Sequence, residues 1–253
     1  MCLALVALGA HDRYAAVIAA NRDEYHARAT APASWWDEGW LAGRDLTAGG
    51  TWLGVTRTGR WALITNVREP GRHDPAAPSR GALVTRALAD AAPSAEAVGR
   101  IVCDATRHNG FNLVAGTVRG AHWGSNRAEA PRALAKGVHG LSNAMLDTPW
   151  PKVTRTKAAF ALWCARGDAD VDALFALLGD RGIAPDDELP ATGIALDRER
   201  MLSAPFIVSP EYGTRCSSVL AIGYDGEARF TERSFDPAGR ATVVVDQRFR
   251  LAG

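Results

Sequence analysis

The stretch MCLALVALGAHDRYAAVIAANRDE, residues 1–24, decides the fold. Two short apolar runs, residues 3–8 and 14–20, are joined by a polar turn at 9–13, which predicts a buried β-hairpin. Neither run is long enough to span a bilayer. No basic segment precedes a single apolar stretch, as it does in a secretory signal. We therefore expect a cytoplasmic protein without a transmembrane segment, whose chain begins inside a sheet.

The rest of the pattern alternates between blocks of strands and blocks of helices. Helical spacing is found at 79–107, where Ser94 is a candidate cap, and at 152–166 and 171–178. Strand patterns are found at 51–55, 61–65, 111–118, 121–124, 138–142, 206–209, 216–224, 228–235 and 242–246. Residues 180–200 and a Trp-rich segment with Trp35, Trp36 and Trp40 are expected to be loops. This order favours an α+β architecture with antiparallel sheets in one domain, 1–253.

Composition excludes several classes of function. The 29 Lys and Arg residues balance 28 acidic ones, so the basic footprint of a nucleic-acid-binding protein is missing. The four cysteines lie far apart and are expected to be reduced thiols. The six histidines have no metal-binding spacing, and the sequence has no phosphate loop or G-x-S-x-G motif. We expect no metal and no cofactor.

Cys2 is the first candidate for chemistry. Removal of Met1 places a thiol and a free α-amino group on one residue, with reference pKa values of about 8.5 and about 7.7 to 8.0. Proton transfer between them near neutral pH then needs no large pKa shift. The alternative is that Cys2 is a small hydrophobic residue at the start of a buried strand.

Polar residues at the ends of apolar segments are further candidates. Arg22 and Asp23 follow the second strand of the hairpin, whose end lies beside the start of the first strand and hence near Cys2. The alternative is a turn with a surface ion pair. The amides of Asn66 and Asn143 can stabilise an oxyanion or simply cap turns. Arg215 can bind a substrate carboxylate or support Asp23, or it is a solvated arginine at a strand edge.

Several segments in order resemble the NRDE family, which includes eukaryotic proteins of transport and Golgi organisation. The resemblance rests on Met1-Cys2, the tetrad Asn21-Arg22-Asp23-Glu24, GRDLTAGGTWLGV (43–55), ITNVRE (64–69), SRGALV (79–84), GFNLVAG (110–116), HGLSNAMLDTPWPKV (139–153) and TRCSSVL (214–220). It covers nearly the whole chain. The family in turn resembles cysteine Ntn hydrolases such as penicillin V acylase and bile salt hydrolase.

The resemblance implies a four-layer αββα sandwich, with two antiparallel sheets between helical layers. It also implies a catalytic set made of Cys2, Arg22, Asp23, Asn66, Asn143 and Arg215. Glu24 receives no role.

Two functions remain open. The first is hydrolysis of a linear amide through an acyl-enzyme on Cys2. The second is a non-catalytic trafficking or binding protein, with haem or an acyl or lipid molecule as its ligand and a link to Golgi organisation and secretion. The expected partner is a small-molecule amide or acyl ligand rather than a nucleic acid, and the sequence does not fix the oligomeric state.

Overall fold

The computed structural model describes residues 3–252. Its N-terminal hairpin consists of β1 (Leu3–Leu8) and β2 (Tyr14–Tyr25), which pair antiparallel from Leu3 opposite Asn21 to Leu8 opposite Ala16. The hairpin predicted from residues 1–24 is confirmed. The second strand, however, does not end at Ala20: the tetrad lies inside β2, because a distant strand pairs with it as far as Tyr25.

A six-stranded antiparallel sheet is built around this hairpin. Its order is β10-β1-β2-β11-β12-β13. The added strands are β10 (Gly137–Leu141), β11 (Tyr212–Gly223), β12 (Glu227–Phe235) and β13 (Ala241–Arg250). Residues 206–209, expected to be a strand, are irregular; the Ile207 amide donates to the Thr214 hydroxyl instead of to a ladder.

The second sheet has seven antiparallel strands in the order of the chain. They are β3 (Thr30–Trp35), β4 (Trp40–Asp45), β5 (Leu53–Thr56), β6 (Trp61–Asn66), β7 (Phe111–Thr117), β8 (Gly120–Ser125) and β9 (Arg132–Ala133). The expected Trp-rich loop is right for Trp36, which lies in the turn between β3 and β4, but Trp35 ends β3 and Trp40 begins β4. Pro32 and a bulge between Ala31 and Ser34 interrupt the alternation that would have marked β3 as a strand.

Helices cover the outer faces of both sheets. These are α1 (Gly81–Ala89), α2 (Ser94–Asp104), α3 (Pro151–Ala165) and α4 (Ala173–Leu178), and a fifth helix, α5 (Leu196–Leu202), precedes β11 in the chain. The last helix and a short 3-10 turn (Asp186–Glu188) correct the loop expected at 180–200. Ser94 is not the cap of α2: Pro93 holds that position, and the Ser94 hydroxyl pairs with the His122 ring. No helix within 3–252 is long and apolar enough to cross a membrane.

Three apolar clusters define four layers. One lies between the sheets and includes Ile18, Leu63 and Phe230. A second packs the six-stranded sheet against α3 and α4, and a third packs the seven-stranded sheet against α1 and α2. The αββα sandwich is confirmed.

Two glycines bring segment 43–55 against the start of α1. A Cβ at Gly50 would lie 2.4 Å from the carbonyl carbon of Gly81, and neither backbone can move freely. We expect Gly50→Ala to lower the free energy of unfolding by about 1–3 kcal/mol, the usual cost of overpacking, as measured by urea denaturation.

The matched control is Gly99→Ala in α2, where a Cβ meets nothing within 4 Å. Helix propensity there should raise the free energy of unfolding by about 0.5–1 kcal/mol. Equal changes in the two variants would contradict the tight contact at Gly50.

Candidate functional site

Cys2 lies outside the described residues. The described chain begins at Leu3, which is opposite Asn21 in the β1–β2 ladder. The first residues of β1 and the polar end of β2 are therefore neighbours, as the hairpin pattern predicts.

Arg22 is buried between the two sheets. Only 4% of its surface is exposed, and its guanidinium carbon lies 4.5 Å from the centre of the Trp52 ring. Nη1 donates to the Thr30 hydroxyl at 2.9 Å, and Nη2 is 3.9 Å from the Asp45 carboxylate. Stacking and hydrogen bonding thus hold the positive charge in one place at the end of the sheet.

Asp23 points to the opposite face of β2, because side chains alternate along a strand. Its Oδ1 accepts a hydrogen bond of 2.6 Å from the hydroxyl of Thr214, its register partner on β11. Arg22 and Asp23 are therefore not a surface ion pair in a turn; each is fixed separately in the sheet.

Asn66 and Asn143 are brought together by the loop that follows β10. The Asn143 Nδ2 donates to the Asn66 carbonyl oxygen at 3.0 Å. The Asn143 carbonyl oxygen accepts from the Arg68 amide at 2.7 Å, so both the side chain and the backbone of Asn143 are bound to the segment that follows β6. Because a side-chain amide has two N–H groups, this bond leaves a second donor on Asn143.

The base of that loop is fixed by Asp147. Its backbone is in the left-handed region with φ 60, and its carboxylate accepts from the Gly140 amide at 2.8 Å. The same carboxylate contacts His139 Nδ1 at 2.9 Å and Lys157 Nζ at 2.7 Å. Asp147 therefore ties the Asn143 loop to both β10 and α3.

Two adjoining cavities, together called the site cleft, open beside these residues. One, of about 400 Å³, is lined by Arg22 and Trp52; the other, of about 560 Å³, is lined by Asp23 and Asn143. Their shared walls are Glu24, Arg28, Asn66, His73, Arg80 and Asn109. Four of the six predicted site residues thus line the site cleft: Arg22 the first cavity, Asp23 and Asn143 the second, and Asn66 both.

Arg215 does not line the site cleft. It sits at a register shift of β11, and its Nη1 donates to the carbonyl oxygens of Tyr25, His26 and Arg28 at 3.0, 3.1 and 3.0 Å. Burial and, after it, the charge of Arg22 lower the pKa of Arg215. These contacts hold the turn after β2 rather than reaching toward a ligand.

Several residues that line the site cleft were not predicted from the sequence. Glu24, which had no role, lines both cavities, with Oε2 3.9 Å from Arg28 Nε. Arg28 binds Asp45 through Nε at 2.8 Å and Nη2 at 2.7 Å. Burial raises the pKa of Asp45, but hydrogen bonding and the charge of Arg28 outweigh it and keep that pKa below its ordinary value. The segment GRDLTAGG, which contains Asp45, is the part of the sequence that could have indicated this residue.

Within residues 3–252 no group of three or more His, Cys, Asp or Glu side chains is arranged to hold a metal ion. His73 is the one histidine among the described residues that line the site cleft, and it is exposed.

Solved structures show the class of fold. The chain is similar to a Caenorhabditis elegans ortholog of N-acylethanolamine-hydrolyzing acid amidase, with TM-score 0.53 and 12% identity, covering 87% of this chain and 92% of that one. It is also similar to a variant of the conjugated bile acid hydrolase of Clostridium perfringens, with TM-score 0.56 and 8% identity, covering 98% and 97%. At such low identity the likeness shows the fold alone, which is that of the Ntn hydrolases.

Sequence comparison then identifies the family. The model described as Transport and Golgi organisation 2 matches residues 1–237. The Transport and Golgi organization protein 2 homologs of Bos taurus and Homo sapiens are each 35% identical, over 94% and 87% of this chain and 93% and 87% of their own lengths. The chain belongs to the Transport and Golgi organisation 2 family.

The Asp147 contacts predict a pH dependence of stability. The hydrogen bond to Asp147 raises the pKa of His139, although burial opposes it. The charged pair therefore stabilises the fold fully below the unfolded pKa of about 6.5, and this contribution is lost as pH rises through the folded pKa. Asp147→Asn removes this pair without straining the left-handed backbone, which Asn tolerates. In urea denaturation the substitution should therefore destabilise the fold by about 1–3 kcal/mol more at about pH 5.5 than at about pH 9.

In a His139→Gln background the same substitution should have the same effect at both pH values. If Asp147→Asn costs equal stability at both pH values in the wild-type background, the His139–Asp147 pair is not charged in the way described.

Proposed function

We propose that the chain is an N-terminal-nucleophile amidohydrolase in which Cys2, exposed by removal of Met1, attacks the carbonyl carbon of a linear amide. The observation that carries the proposal is the convergence of Arg22, Asp23, Asn66 and Asn143 on one cleft at the polar end of the β1–β2 hairpin. Chain connectivity joins Cys2 to Leu3, the residue opposite Asn21 in that hairpin.

Arg22 supplies the charge that the nucleophile needs. A fixed guanidinium near a thiol favours the thiolate and lowers its pKa. Arg22 is well suited to this role because Trp52 and Thr30 hold it and only 4% of its surface is exposed. A mobile surface arginine would be screened by water and salt.

In the proposed reaction, the thiol proton moves to the α-amino group of Cys2 as the sulfur–carbon bond forms. The tetrahedral intermediate collapses when its C–N bond breaks, and the leaving amine takes the proton back from the α-ammonium group. Water, deprotonated by the same amine, then attacks the thioester, and the acid is released with the thiol restored.

The amides stabilise the negative oxygen of the intermediate. The Nδ2 group of Asn143 uses one N–H on the Asn66 carbonyl oxygen and has a second for the oxyanion. Since the Asn143 loop is fixed at Asp147 and at Arg68, this donor is held before the substrate arrives.

Polar walls favour this function over the binding of haem or a lipid. Next to Trp52 and Ile64, the 400 Å³ cavity is lined by many charged and polar side chains, including Arg28, Asp45 and Asp74. A large apolar ligand would remove water from these charged groups and offer them no polar contact in exchange. His73 is the candidate axial ligand under the haem alternative.

The test uses the full chain with Cys103→Ser, because Cys103 is exposed whereas Cys164 and Cys216 are buried. Burial raises the pKa of Cys164 to about 11 and that of Cys216 well above its ordinary value, so neither thiol should react. With iodoacetamide, intact mass should show loss of Met1 and one adduct, located at Cys2 by peptide mapping.

A panel of N-acyl 4-nitroanilides then measures turnover. Cys2→Ser and Cys2→Ala should lower kcat for any hydrolysed member by about 10³-fold or more. Retention of Met1, or labelling of Cys2 without hydrolysis of any amide, contradicts the proposal. Saturable one-to-one hemin binding that survives Cys2→Ala and is lost in His73→Ala would favour the alternative.

A further inference from the structure

Four polar side chains close the apolar core between the sheets at the end nearest the site cleft. They lie on the face of their strands that carries Ala20, Leu220 and Phe230 inward, and each is at most 4% exposed: Arg22, Cys216, Ser218 and Glu232. Cys216 is opposite Arg22, and Ser218 is opposite Glu232. Of these four, only Arg22 belongs to the proposed reaction.

Glu232 joins the two sheets. From β12 its Oε1 accepts the Ala33 amide of β3 at 2.8 Å, and its Oε2 accepts the Ser218 hydroxyl at 2.9 Å. The Ala33 amide lies within the bulge of β3, where the ladder to β4 is interrupted between Ala31 and Ser34. The bulge therefore directs a backbone donor of one sheet to a carboxylate of the other.

The strand held by Glu232 is also the strand that receives Arg22. Thr30, at the start of β3, accepts from Arg22 Nη1 at 2.9 Å, three residues before Ala33. Fixing β3 at Ala33 thus fixes the oxygen that orients the guanidinium.

Glu232 is suited to balance the charge of Arg22. The Asp45 carboxylate is already bound by Arg28 at 2.7 and 2.8 Å. Burial raises the pKa of Glu232, while the bonds from Ser218 and Ala33, the Cys216 thiol and the charge of Arg22 all act against that rise. Within residues 3–252, the titratable and charged groups that act on Glu232 are Cys216 on β11 and Arg22 on β2, and burial keeps Cys216 a neutral thiol by raising its pKa.

We propose that Glu232 is a positioning residue for Arg22: bonded to Ala33 and Ser218, it fixes the strand that orients the guanidinium and offsets part of its positive charge. The inference rests on the proposed function, because it assigns to Glu232 control over the field that acts on Cys2.

The test compares Glu232→Gln with the parent chain in the Cys103→Ser background. Gln keeps the size and can accept from the Ala33 amide, but it carries no charge. The pH midpoint of iodoacetamide alkylation at Cys2 should fall by on the order of 0.5–1 pH unit, since less of the Arg22 field is cancelled. An unchanged or higher midpoint overturns the inference.

Glu227→Gln is the matched control. It removes the same charge from the same strand, where Glu227 is exposed and pairs with Arg250 at 2.8 Å, and it should leave the midpoint unchanged. If Glu232→Gln does not fold, Ser218→Ala replaces it. Loss of the Ser218 bond makes Glu232 more easily protonated, so the midpoint should shift the same way by a smaller amount, and no shift overturns the inference.

A second measurement separates this inference from the proposed function. Urea denaturation midpoints of Arg22→Met, Glu232→Gln and the double variant form a cycle that does not involve Cys2. Non-additive shifts support the coupling of Glu232 to Arg22, and additive shifts overturn it. If the parent chain keeps Met1, or if its Cys2 does not react with iodoacetamide, the proposed function fails. The cycle alone then decides the inference.

Discussion

The pairing of β11 with the whole length of β2 is the constraint on which the rest of the molecule depends. It runs from Gly223 opposite Tyr14 to Tyr212 opposite Tyr25 and so includes the polar tetrad. A tetrad at the end of a free hairpin would be hydrated. Inside a central strand, alternation sends Arg22 into the space between the sheets and Asp23 to the other face.

Burying a guanidinium in this way is costly unless its charge and its donors are satisfied. Trp52, Thr30 and Asp45 meet that requirement, and all three lie in or beside strands of the seven-stranded sheet that faces β2. The αββα sandwich is thus more than a scaffold, since it places the partners of Arg22 on the sheet opposite the strand that carries it. The opposite face is simpler: Asp23 needs the hydroxyl of Thr214, its neighbour on β11.

Local patterns predicted much of the fold. The first hairpin, the hairpin of β5 and β6 and the pairs of helices follow from periodicity over a few residues. The family resemblance grouped Arg22, Asp23, Asn66 and Asn143, and these four line the site cleft.

The features that could not be predicted are set by distant parts of the chain. The Asp23 partner Thr214 is 191 residues away, so no local pattern could place the tetrad inside a strand. In the sequence, Glu232 is an ordinary polar position of a strand, because its contact with β3 forms only when the two sheets face each other. Arg215 matched a short motif, but its contacts depend on a bulge that the sequence does not reveal.

The central claim is that the buried Arg22 charge acts on the thiol of Cys2. The most direct measurement is a crystal structure of the mature chain after Met1 removal, in which the distance from the Cys2 sulfur to the Arg22 guanidinium is read. We expect about 6 Å or less, the range over which one charge strongly shifts the pKa of another group. A sulfur enclosed by hydrocarbon, or more than about 10 Å from that guanidinium, would contradict the account, because a charge at that distance is screened.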